Sequence, residues 1–374
     1  MPPVETIDAG PVRLRPFREG DVEDLVAGCS DPLTRRFLPL LPHPYTRVDA
    51  MWWITEGSRA AWAGGGAAYA IADAATDRLI GGAGIAHVAA DRAQGEIGYW
   101  VAPWARGRGA AGTATAALAG WAFARGFGRL ELLTRPENVA SQRVALRAGF
   151  RYEGVRRGGA AGPNGSRYEL SAWARLADDP PGPAPRLLPD LPGGPGGSLT
   201  DGVVTLRPLS LADRDFLFEL HTLPDVVATS VPPIAPDRAE IELRCVRAQS
   251  RWLSGERIDL VITDAATRTP AGEIGLYYQE PPTGQAMIGY CMLPTWRGRG
   301  YPTRAARLLA AWAFEHAGLA RLVAGTHPGN AASQRVLERA GFRREGYLRG
   351  RLPGTNGSRA DDVLYGLLPE DVRR

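Results

Sequence analysis

The chain has 374 residues, 44% of them hydrophobic and 22% charged, so it is long enough for two ordinary domains that each bury a core. Its net charge of +4 is too small and too evenly spread to indicate a nucleic-acid partner. All 44 residues counted as lysine or arginine are arginines. This excludes enzymes that need a lysine amine, whether in a Walker phosphate loop or in a Schiff base.

Cysteine and histidine usage excludes further classes of protein. The three cysteines, Cys29, Cys245 and Cys291, are scattered and form no CxxC pair, and the five histidines show no ligand spacing. We therefore expect neither disulfides nor a metal site. The chain opens with no charged-then-apolar leader, and no apolar run approaches the about 18–20 residues of a membrane helix. We expect a cytoplasmic protein without a membrane partner.

Hydrophobic periodicity and turn residues predict the elements of the first half. Residues 1–11 are proline-rich, and we expect them to be frayed. The elements predicted after them are a strand at 12–16, helices at 21–29 and 49–62, strands at 67–72, 79–88 and 95–101, a helix that ends near 126, a strand at 129–134, a helix at 138–149, and a hairpin of 152–156 and 166–173 around a turn at 163–165. Trp52, Trp53 and Trp62 of the second helix are expected to pack in the core rather than to form a substrate wall.

Residues 178–200 separate two copies of one pattern. Seven prolines lie between Pro180 and Pro195, with five glycines among and after them, a composition that predicts a linker without a core. Beyond this segment, the LRP motif of residues 14–16 returns at residues 206–208, and the other motifs follow in the same order. A repeat of this length predicts two domains of the same fold, at residues 1–177 and 201–374.

The longest repeated stretch is typical of a strand, an Arg/Gly turn and a helix. It is EIGYWVAPWARGRGAAGTATAAL at 96–118 and MIGYCMLPTWRGRGYPTRAARLL at 287–309. A glycine-rich turn that leads into a helix directs backbone N–H groups outward and favours an anion such as a phosphate. The first copy contains GxGxxG, but a Rossmann fold is not favoured. Copy two has Thr303 at the third glycine, and the motif lies in mid-domain rather than in an opening βαβ unit.

A second shared motif follows each of these helices. NxASQRV and then RAGF span residues 138–150 and 330–342. Alone, this motif would indicate an asparagine that caps a helix. Beside the Arg/Gly turn it forms a family signature. Both halves resemble the GNAT superfamily of acetyl-CoA-dependent N-acyltransferases, and within it the RimJ/RimL-like branch that acetylates the N-termini of ribosomal proteins.

The resemblance implies an α/β fold for each half: a mixed, largely antiparallel sheet that is splayed at its central strand and flanked by helices. It implies acetyl-CoA as cofactor. The turn N–H groups would hold its pyrophosphate, and the strand end and the motif asparagine would contact its pantetheine arm. The cofactor-binding residues implied are Tyr99, Trp100, Val101, Arg106, Gly107, Arg108, Gly109, Ala110, Ala111 and Asn138 in copy one, and Cys291, Met292, Leu293, Arg297, Gly298, Arg299, Gly300, Tyr301 and Asn330 in copy two.

The resemblance also implies catalytic groups. Ser141 and Ser333 would lie near the sulfur and protonate the departing thiolate, and Glu96 would take a proton from the amine. Copy two has Met287 where copy one has Glu96, and it places Pro302, which has no N–H group, in its phosphate turn. These differences favour copy one as the catalytic copy.

The expected reaction is attack of a neutral amine on the acetyl thioester, and three roles remain open. The acceptor is the N-terminal α-amine of a protein or peptide, including a peptide natural product; or it is a small amine such as an aminoglycoside; or the chain is a CoA- or peptide-binding scaffold with one or both copies inactive. With a pKa of about 7.7–8.0, roughly one-tenth of α-amines are neutral at pH 7, against on the order of 1 in 2,500 lysines. A single carboxylate base is adequate for such an amine, which favours the first role.

Overall fold

The computed structural model describes residues 5–162 and 165–372, and the chain divides into two compact units, Met1–Pro185 and Arg186–Arg374. The boundary lies inside the proline-rich segment. The expectation that this segment buries no core is wrong for its second part, because Leu188 and Leu191 are buried in the core of unit 2. The carbonyl oxygen of Pro189 also accepts a hydrogen bond from Trp252 Nε1 at 2.9 Å. An average composition does not detect two leucines that pack individually.

Unit 1 is an eight-stranded sheet flanked by helices. Its strands follow the spatial order β1-β2-β3-β4-β5-β6-β8-β7. They are β1 (Ile7–Ala9), β2 (Val12–Arg15), β3 (Ala67–Asp73), β4 (Leu79–Ala89), β5 (Gln94–Val101), β6 (Arg129–Thr134), β7 (Arg151–Ala161) and β8 (Arg167–Leu176). The helices are α1 (Val22–Ser30), α2 (Pro32–Phe37), α3 (Arg47–Trp52), α4 (Ser58–Ala63), α5 (Ala110–Phe123) and α6 (Val139–Arg147).

Unit 2 repeats this topology, with the order β9-β10-β11-β12-β13-β14-β16-β15. Its strands are β9 (Leu199–Thr200), β10 (Val204–Pro208), β11 (Arg257–Asp264), β12 (Pro270–Glu280), β13 (Gln285–Met292), β14 (Arg321–Thr326), β15 (Arg343–Pro353) and β16 (Arg359–Leu367). Its helices are α7 (Arg214–Thr222), α8 (Pro224–Thr229), α9 (Arg238–Leu253), α10 (Tyr301–Glu315), α11 (Ala331–Ala340) and α12 (Pro369–Val372). Among the described helices, none has the length and apolar character needed to cross a membrane.

Each sheet is splayed at its central strand. β5 pairs with β6 in parallel only over residues 94–96, opposite residues 129–131. β13 pairs with β14 only over residues 285–287, opposite residues 321–323. Beyond these three-residue ladders the two strands part, whereas the other strand pairs described are antiparallel. The predicted mixed, splayed sheet is confirmed in both halves.

Two local predictions need correction. Residues 7–9 are not frayed, because they pair with β2 as an antiparallel edge strand. The helix predicted at 49–62 is not uniform: a π-helical turn, Trp53–Gly57, lies between α3 and α4. Of the residues predicted to form the hairpin turn, Pro163 and Asn164 lie outside the described part of the chain.

The LRP motif contributes a buried ion pair. Arg15 is almost fully buried and forms two hydrogen bonds with the Asp21 carboxylate, at 2.8 and 2.7 Å. This contact ties β2 to the start of α1, and Arg207 and Asp213 repeat it in unit 2. Both charges of the pair in unit 1 are removed from water, so each depends on its hydrogen-bond partners; Asp77 is a second partner of Arg15, at 3.0 Å.

We predict that Asp21→Ala lowers the free energy of unfolding of unit 1 by about 3 kcal/mol, since it leaves a buried guanidinium without its main partner. Urea unfolding, followed by tryptophan fluorescence, measures the change. Asp8→Ala is the matched control: it removes the partner of Arg13 from an exposed pair and should cost less than about 1 kcal/mol. Equal losses for the two variants would contradict the assignment.

Candidate active site

The Arg/Gly turn of each unit joins the central strand to a long helix through left-handed glycines. Gly107 and Gly109 have φ values of +76° and +81°, and Gly298 and Gly300 have +75° and +77°. Side chains with a Cβ rarely adopt such values, so the turn requires glycine there. Gly109 and Gly300 are the N-cap residues of α5 and α10. The first N–H groups of each helix have no partner within it, which makes an anion site.

The first arginine of each turn has a structural role. Arg106 donates from Nε to the carbonyl of Val101 at 3.1 Å, and its other arm contacts Asp31. Arg297 makes the same bond to the carbonyl of Met292 at 3.1 Å. The backbone N–H of each arginine also turns inward, to the carbonyl three residues earlier, at 3.5 and 3.2 Å. These side chains therefore fix the turn to the strand end, and the N–H groups from the next residue onward form the anion site.

A cleft of about 620 Å³ extends from this turn past β5 to α6 in unit 1. This volume lies within the range of about 300–1,000 Å³ that is common for ligand sites. Of the residues predicted for copy one, those that line the cleft are Glu96, Tyr99, Trp100, Val101, Arg106, Gly107, Gly109, Ala110, Ala111, Asn138 and Ser141. Arg108 is not among the described lining residues.

Two arginines of α6 line the same cleft and were missed by the sequence analysis. They are Arg143 and Arg147. The guanidinium of Arg147 would lie 3.7 Å from a Cβ built on Gly109, so its charge is beside the turn. The two arginines are spaced i and i+4, which places both on one face of a helix, and this spacing in the sequence could have indicated them. Arginines that line such a cleft suit the phosphates of a nucleotide.

The side chains of β5 divide the site into two faces. Successive residues of a strand point to opposite sides, so Glu96 and Trp100 share one face and Tyr99 lies on the other. The Tyr99 hydroxyl is 2.6 Å from the Ser141 hydroxyl on α6. The Trp100 ring packs on α1, where a Cβ on Gly28 would be only 2.4 Å away. The carboxylate and the tyrosine–serine pair therefore lie on opposite faces of β5, three residues apart along the strand.

Glu96 differs in its electrostatics from its neighbour Glu131, which is in register with it on β6. Burial raises the pKa of Glu96, His87 opposes this rise, and Glu131 adds to it. Burial also acts to raise the pKa of Glu131, but hydrogen bonds from Arg129 and Arg156 outweigh it and hold that pKa below its ordinary range. In the described part of the chain Glu96 forms no ion pair, so it is the carboxylate that can accept a proton.

The asparagine of each NxAS motif caps the helix that follows it. Asn138 Oδ1 accepts the Ser141 N–H at 3.2 Å, and Asn330 Oδ1 accepts the Ser333 N–H at 3.1 Å. The carbonyl side of each amide is therefore used by the helix. The NH₂ group remains as the donor that each asparagine can offer to a ligand.

Unit 2 keeps the tyrosine–serine contact, through a tyrosine that the sequence analysis left out. Tyr290 lies with its hydroxyl 3.0 Å from the Ser333 hydroxyl, and burial raises its pKa to about 12. The residues predicted at the end of β13, Cys291 to Leu293, lie one position too far along the chain, because Tyr290 is the residue equivalent to Tyr99. The tripeptide IGY occurs at 97–99 and again at 288–290, and an alignment of the two copies on this tripeptide identifies Tyr290 from the sequence alone.

Of the other residues predicted for copy two, Leu293 is equivalent to Ala102 of copy one, and the residues of the turn take equivalent positions. Leu293 leads into a short 3₁₀ turn, Arg299 stacks over Trp296 with 4.9 Å between the guanidinium carbon and the ring centroid, and Tyr301 begins α10. The Tyr301 hydroxyl contacts Asp264. Pro302 lies in the first turn of α10, where proline is tolerated but supplies no N–H group.

A buried charged cluster occupies the other face of β13. Cys291, which follows Tyr290, pairs across the sheet with Glu273. His221 Nε2 is 2.6 Å from the Glu273 carboxylate, and Arg244 contacts both Glu273 and Asp259. Burial acts to raise the pKa of Glu273, but Arg244 and His221 outweigh it and lower that pKa.

This cluster bears on the prediction that the chain has no metal site. The ligand atoms of His221, Glu273 and Cys291 all lie within 4.8 Å of one another. A cation would have to compete with the guanidinium of Arg244 for the Glu273 carboxylate. Burial, together with the Glu273 charge, also raises the pKa of the Cys291 thiol, which disfavours the thiolate that binds metals. The contacts present are those of an ion-pair network.

Comparison with known proteins now identifies the family. The model of the acetyltransferase (GNAT) domain matches the chain twice, at residues 12–151 and 204–343. The chain belongs to the GNAT acetyltransferase family. GNAT proteins take the acetyl group from acetyl-CoA, and the turn N–H groups, the α6 arginines and the size of the cleft suit the phosphates and arm of that molecule.

Individual GNAT relatives match stretches of between about half a domain and one whole domain. "Probable N-acetyltransferase YjcK" of Bacillus subtilis is 40% identical over 86 residues, which are 23% of this chain and 47% of YjcK. N-acetyltransferase p20 of Bacillus licheniformis, named as uncharacterized, is 25% identical over 170 residues, 45% of this chain and 94% of p20. The structure of Mycobacterium smegmatis RimJ in complex with CoA-disulfide is 23% identical and covers 48% of this chain and 89% of its own, with a TM-score of 0.41. The chain spans about half the length of the first curated relatives it matches.

We predict that Gly109→Val weakens CoA binding to unit 1 at least about tenfold, because a β-branched residue strains a backbone at positive φ and shifts the N–H groups of the turn. Isothermal titration with CoA measures the affinity, and circular dichroism checks the fold. Gly300→Val tests unit 2 in the same way. Gly120→Ala, an exposed glycine of α5 with open space around it, is the control and should leave affinity unchanged. Unaltered binding in the Gly109/Gly300 double variant would contradict the phosphate assignment.

Proposed function

We propose that unit 1 transfers acetyl from acetyl-CoA to a primary amine, and that the acceptor is the N-terminal α-amine of a protein or peptide. One observation carries this proposal. β5 carries the Glu96 carboxylate on one face and, three residues further on, the tyrosine–serine pair on the other, in a cleft that begins at the N-terminus of α5. A base for the amine and an acid for the thiolate are thus supplied on opposite sides of the thioester.

The groups of this cleft define the steps of the reaction. Glu96 accepts the proton that the amine loses as its nitrogen attacks the acetyl carbon. Backbone N–H groups at the free edge of β5, which lacks a β6 partner beyond Glu96, stabilise the oxyanion. The C–S bond then breaks, and Ser141 donates its hydroxyl proton to the thiolate. The proton that Glu96 took from the amine returns through solvent to the serine oxygen, so both groups regain their starting state. The Tyr99 hydroxyl, 2.6 Å from that of Ser141, holds the serine in place.

The charges of unit 1 favour an α-amine over a polycation. A neutral α-amine needs only one modest base, whereas a lysine side chain has a pKa of about 10.4 and needs more. An aminoglycoside carries several positive charges and would be held by several carboxylates. Among the described residues that line the cleft, Glu96 is the only carboxylate, and three arginines line it as well.

We assign catalysis to unit 1 rather than unit 2. Unit 2 has Met287 in place of Glu96, and the face of β13 that would receive the amine carries the Glu273 ion-pair network. Unit 2 retains the turn and the Tyr290–Ser333 contact, which are the features that suit CoA.

The decisive experiment mixes the full chain with acetyl-CoA and a panel of peptides, lysine derivatives and aminoglycosides, and follows the release of free thiol. Thiol release with peptides that have a free N-terminus, and not with their N-blocked forms, supports the proposal. Faster release with aminoglycosides would overturn the acceptor class. CoA binding without release on any amine would favour a scaffold.

We predict that Glu96→Gln lowers kcat/KM on a peptide by about 10²–10³-fold at pH 8. Wild-type activity should fall as the pH drops through the raised pKa of Glu96, because the base then becomes protonated. The ratio of wild-type to variant kcat/KM should therefore become smaller towards low pH. Ionisation of the amine substrate affects both enzymes equally, so it does not change this ratio. Glu56→Gln, at an exposed carboxylate that does not line the cleft, is the control for the same change of charge. A ratio that does not change with pH would clear Glu96 of the base role.

We also predict that Ser141→Ala lowers kcat about tenfold or more, whereas Ser333→Ala leaves it within about twofold. The reason is that the Ser141 hydroxyl lines a cleft together with the Glu96 carboxylate, whereas unit 2 has Met287 at the position of Glu96. Steady-state kinetics on one peptide compares the two variants directly. A larger loss in Ser333→Ala would move catalysis to unit 2.

A further inference from the structure

A second cavity, of about 440 Å³, adjoins the cleft of unit 1. The two spaces share the lining residues Leu38, Gly98, Tyr99 and Trp100. The rest of the second cavity, called here the aromatic cavity, is bounded by α1, α3, β3 and β4, and by the segment that links α2 to α3. Its further aromatic lining residues are Phe17, Tyr45, Trp52, Trp53 and Tyr69.

The aromatic cavity offers almost no charge to a ligand. Asp49 is the only carboxylate among its described lining residues. That carboxylate is already used, since it accepts hydrogen bonds from the Thr46 N–H at 2.8 Å and from the Thr46 hydroxyl at 2.6 Å as part of a helix cap. A cavity lined by these side chains favours an apolar, planar ligand group and offers few partners to a charged group.

Three glycines make room for the indole rings that line this cavity. A Cβ on Gly57, in the π-helical turn, would lie 2.7 Å from the Trp53 ring and 2.9 Å from the Trp52 ring. A Cβ on Gly28 or on Gly82 would lie 2.4 or 2.7 Å from Trp100. The tryptophans expected to be core residues thus divide: Trp62 packs against Tyr69 and Trp121, whereas Trp52 and Trp53 face the cavity.

Unit 2 shows that the fold does not require an aromatic cavity. The equivalent helices of the two units begin at the N-cap residues Thr46 and Asp237. Trp53 and Arg244 each follow their N-cap by the same number of residues, so Arg244 is equivalent to Trp53. The cross-strand pair Gly82–Trp100 is replaced by Glu273–Cys291. Charged side chains and ion pairs occupy the positions that are small or aromatic in unit 1. The aromatic lining is therefore a property of the unit to which we assign catalysis.

We propose that the aromatic cavity binds the side chain of the acceptor's first residue, and that the acceptor is a peptide or protein whose N-terminal residue is aromatic or another large apolar residue. This inference rests on the proposed function of the adjoining cleft. Gly98 lines both spaces and lies two residues from Glu96, roughly 7 Å along the strand. One amino-acid residue spans that distance, so its amine can reach Glu96 while its side chain enters the cavity.

The first test compares peptides that differ only in their first residue. We expect kcat/KM for peptides that begin with phenylalanine, tryptophan or leucine to exceed that for glycine, serine or aspartate by at least about tenfold, the discrimination that apolar burial supplies. Equal or reversed preference, with thiol release intact, would overturn the cavity assignment and leave the proposed function standing.

A pair of variants on α3 sharpens the test. Trp52 is 54% exposed and Val48 is 77% exposed, so neither is needed for the core, and only Trp52 lines the cavity among these two. Trp52→Ala should raise KM about tenfold for the phenylalanine peptide and leave the glycine peptide within about twofold. Val48→Ala should change neither. A uniform effect of Trp52→Ala on both peptides would contradict a role in side-chain recognition.

A binding measurement separates failure of this inference from failure of the proposed function. Isothermal titration with N-acetylated peptides, which cannot react, reports side-chain binding without turnover. Tighter binding of the phenylalanine than of the glycine peptide, lost in Trp52→Ala, would support the cavity assignment even if no amine is acetylated. The absence of any such preference would overturn it.

Discussion

The structure depends on one constraint, the early end of the parallel ladder between the two central strands. In both units this ladder spans only three residues, and the strands then part. An isolated parallel pair can separate at one end because antiparallel neighbours hold each strand on its other side. The separation leaves backbone groups of residues 97–101 without a β6 partner. It also places the Arg/Gly turn, which follows the strand directly, at the mouth of the opening.

The same backbone carries different side chains in the two units, and this difference concerns function more than stability. Buried ion pairs are weak evidence for stability, because the cost of desolvation offsets much of their attraction. The cluster of Arg244, Asp259 and Glu273 in unit 2 is therefore not explained by the needs of the fold, since unit 1 forms the same sheet with tryptophan, alanine and glycine at the equivalent positions. Duplication preserved the turn and the helix caps, whereas the face of the central strand that would receive the amine diverged.

The sequence was sufficient for features that are local along the chain. The strand, turn and helix around the RGRG motifs, and the caps formed by Asn138 and Asn330, are confirmed because glycine conformation and capping act within a few residues. The errors concern contacts between distant segments. The pairing of residues 7–9, the burial of Leu188 and Leu191, and the exposure of Trp52 each depend on what another element places nearby. Apolar periodicity alone does not distinguish a cavity wall from a core, because both need the same side chains.

The contrast between Glu96 and Glu131 shows how neighbouring charges, at the same position in the splay, decide which carboxylate can accept a proton. The two carboxylates are in register on neighbouring strands, at the last residues before the strands part. Glu131 is held by Arg129 and Arg156, and those guanidinium groups keep it ionised and occupied. Burial raises the pKa of Glu96, no arginine hydrogen bond offsets this rise among the described residues, and the charge of Glu131 further disfavours the ionised form of Glu96. A carboxylate with a raised pKa is a better proton acceptor than an ordinary one at neutral pH. The ion pairs of Glu131 on β6 thus keep a negative charge beside Glu96, the carboxylate that we propose as the base.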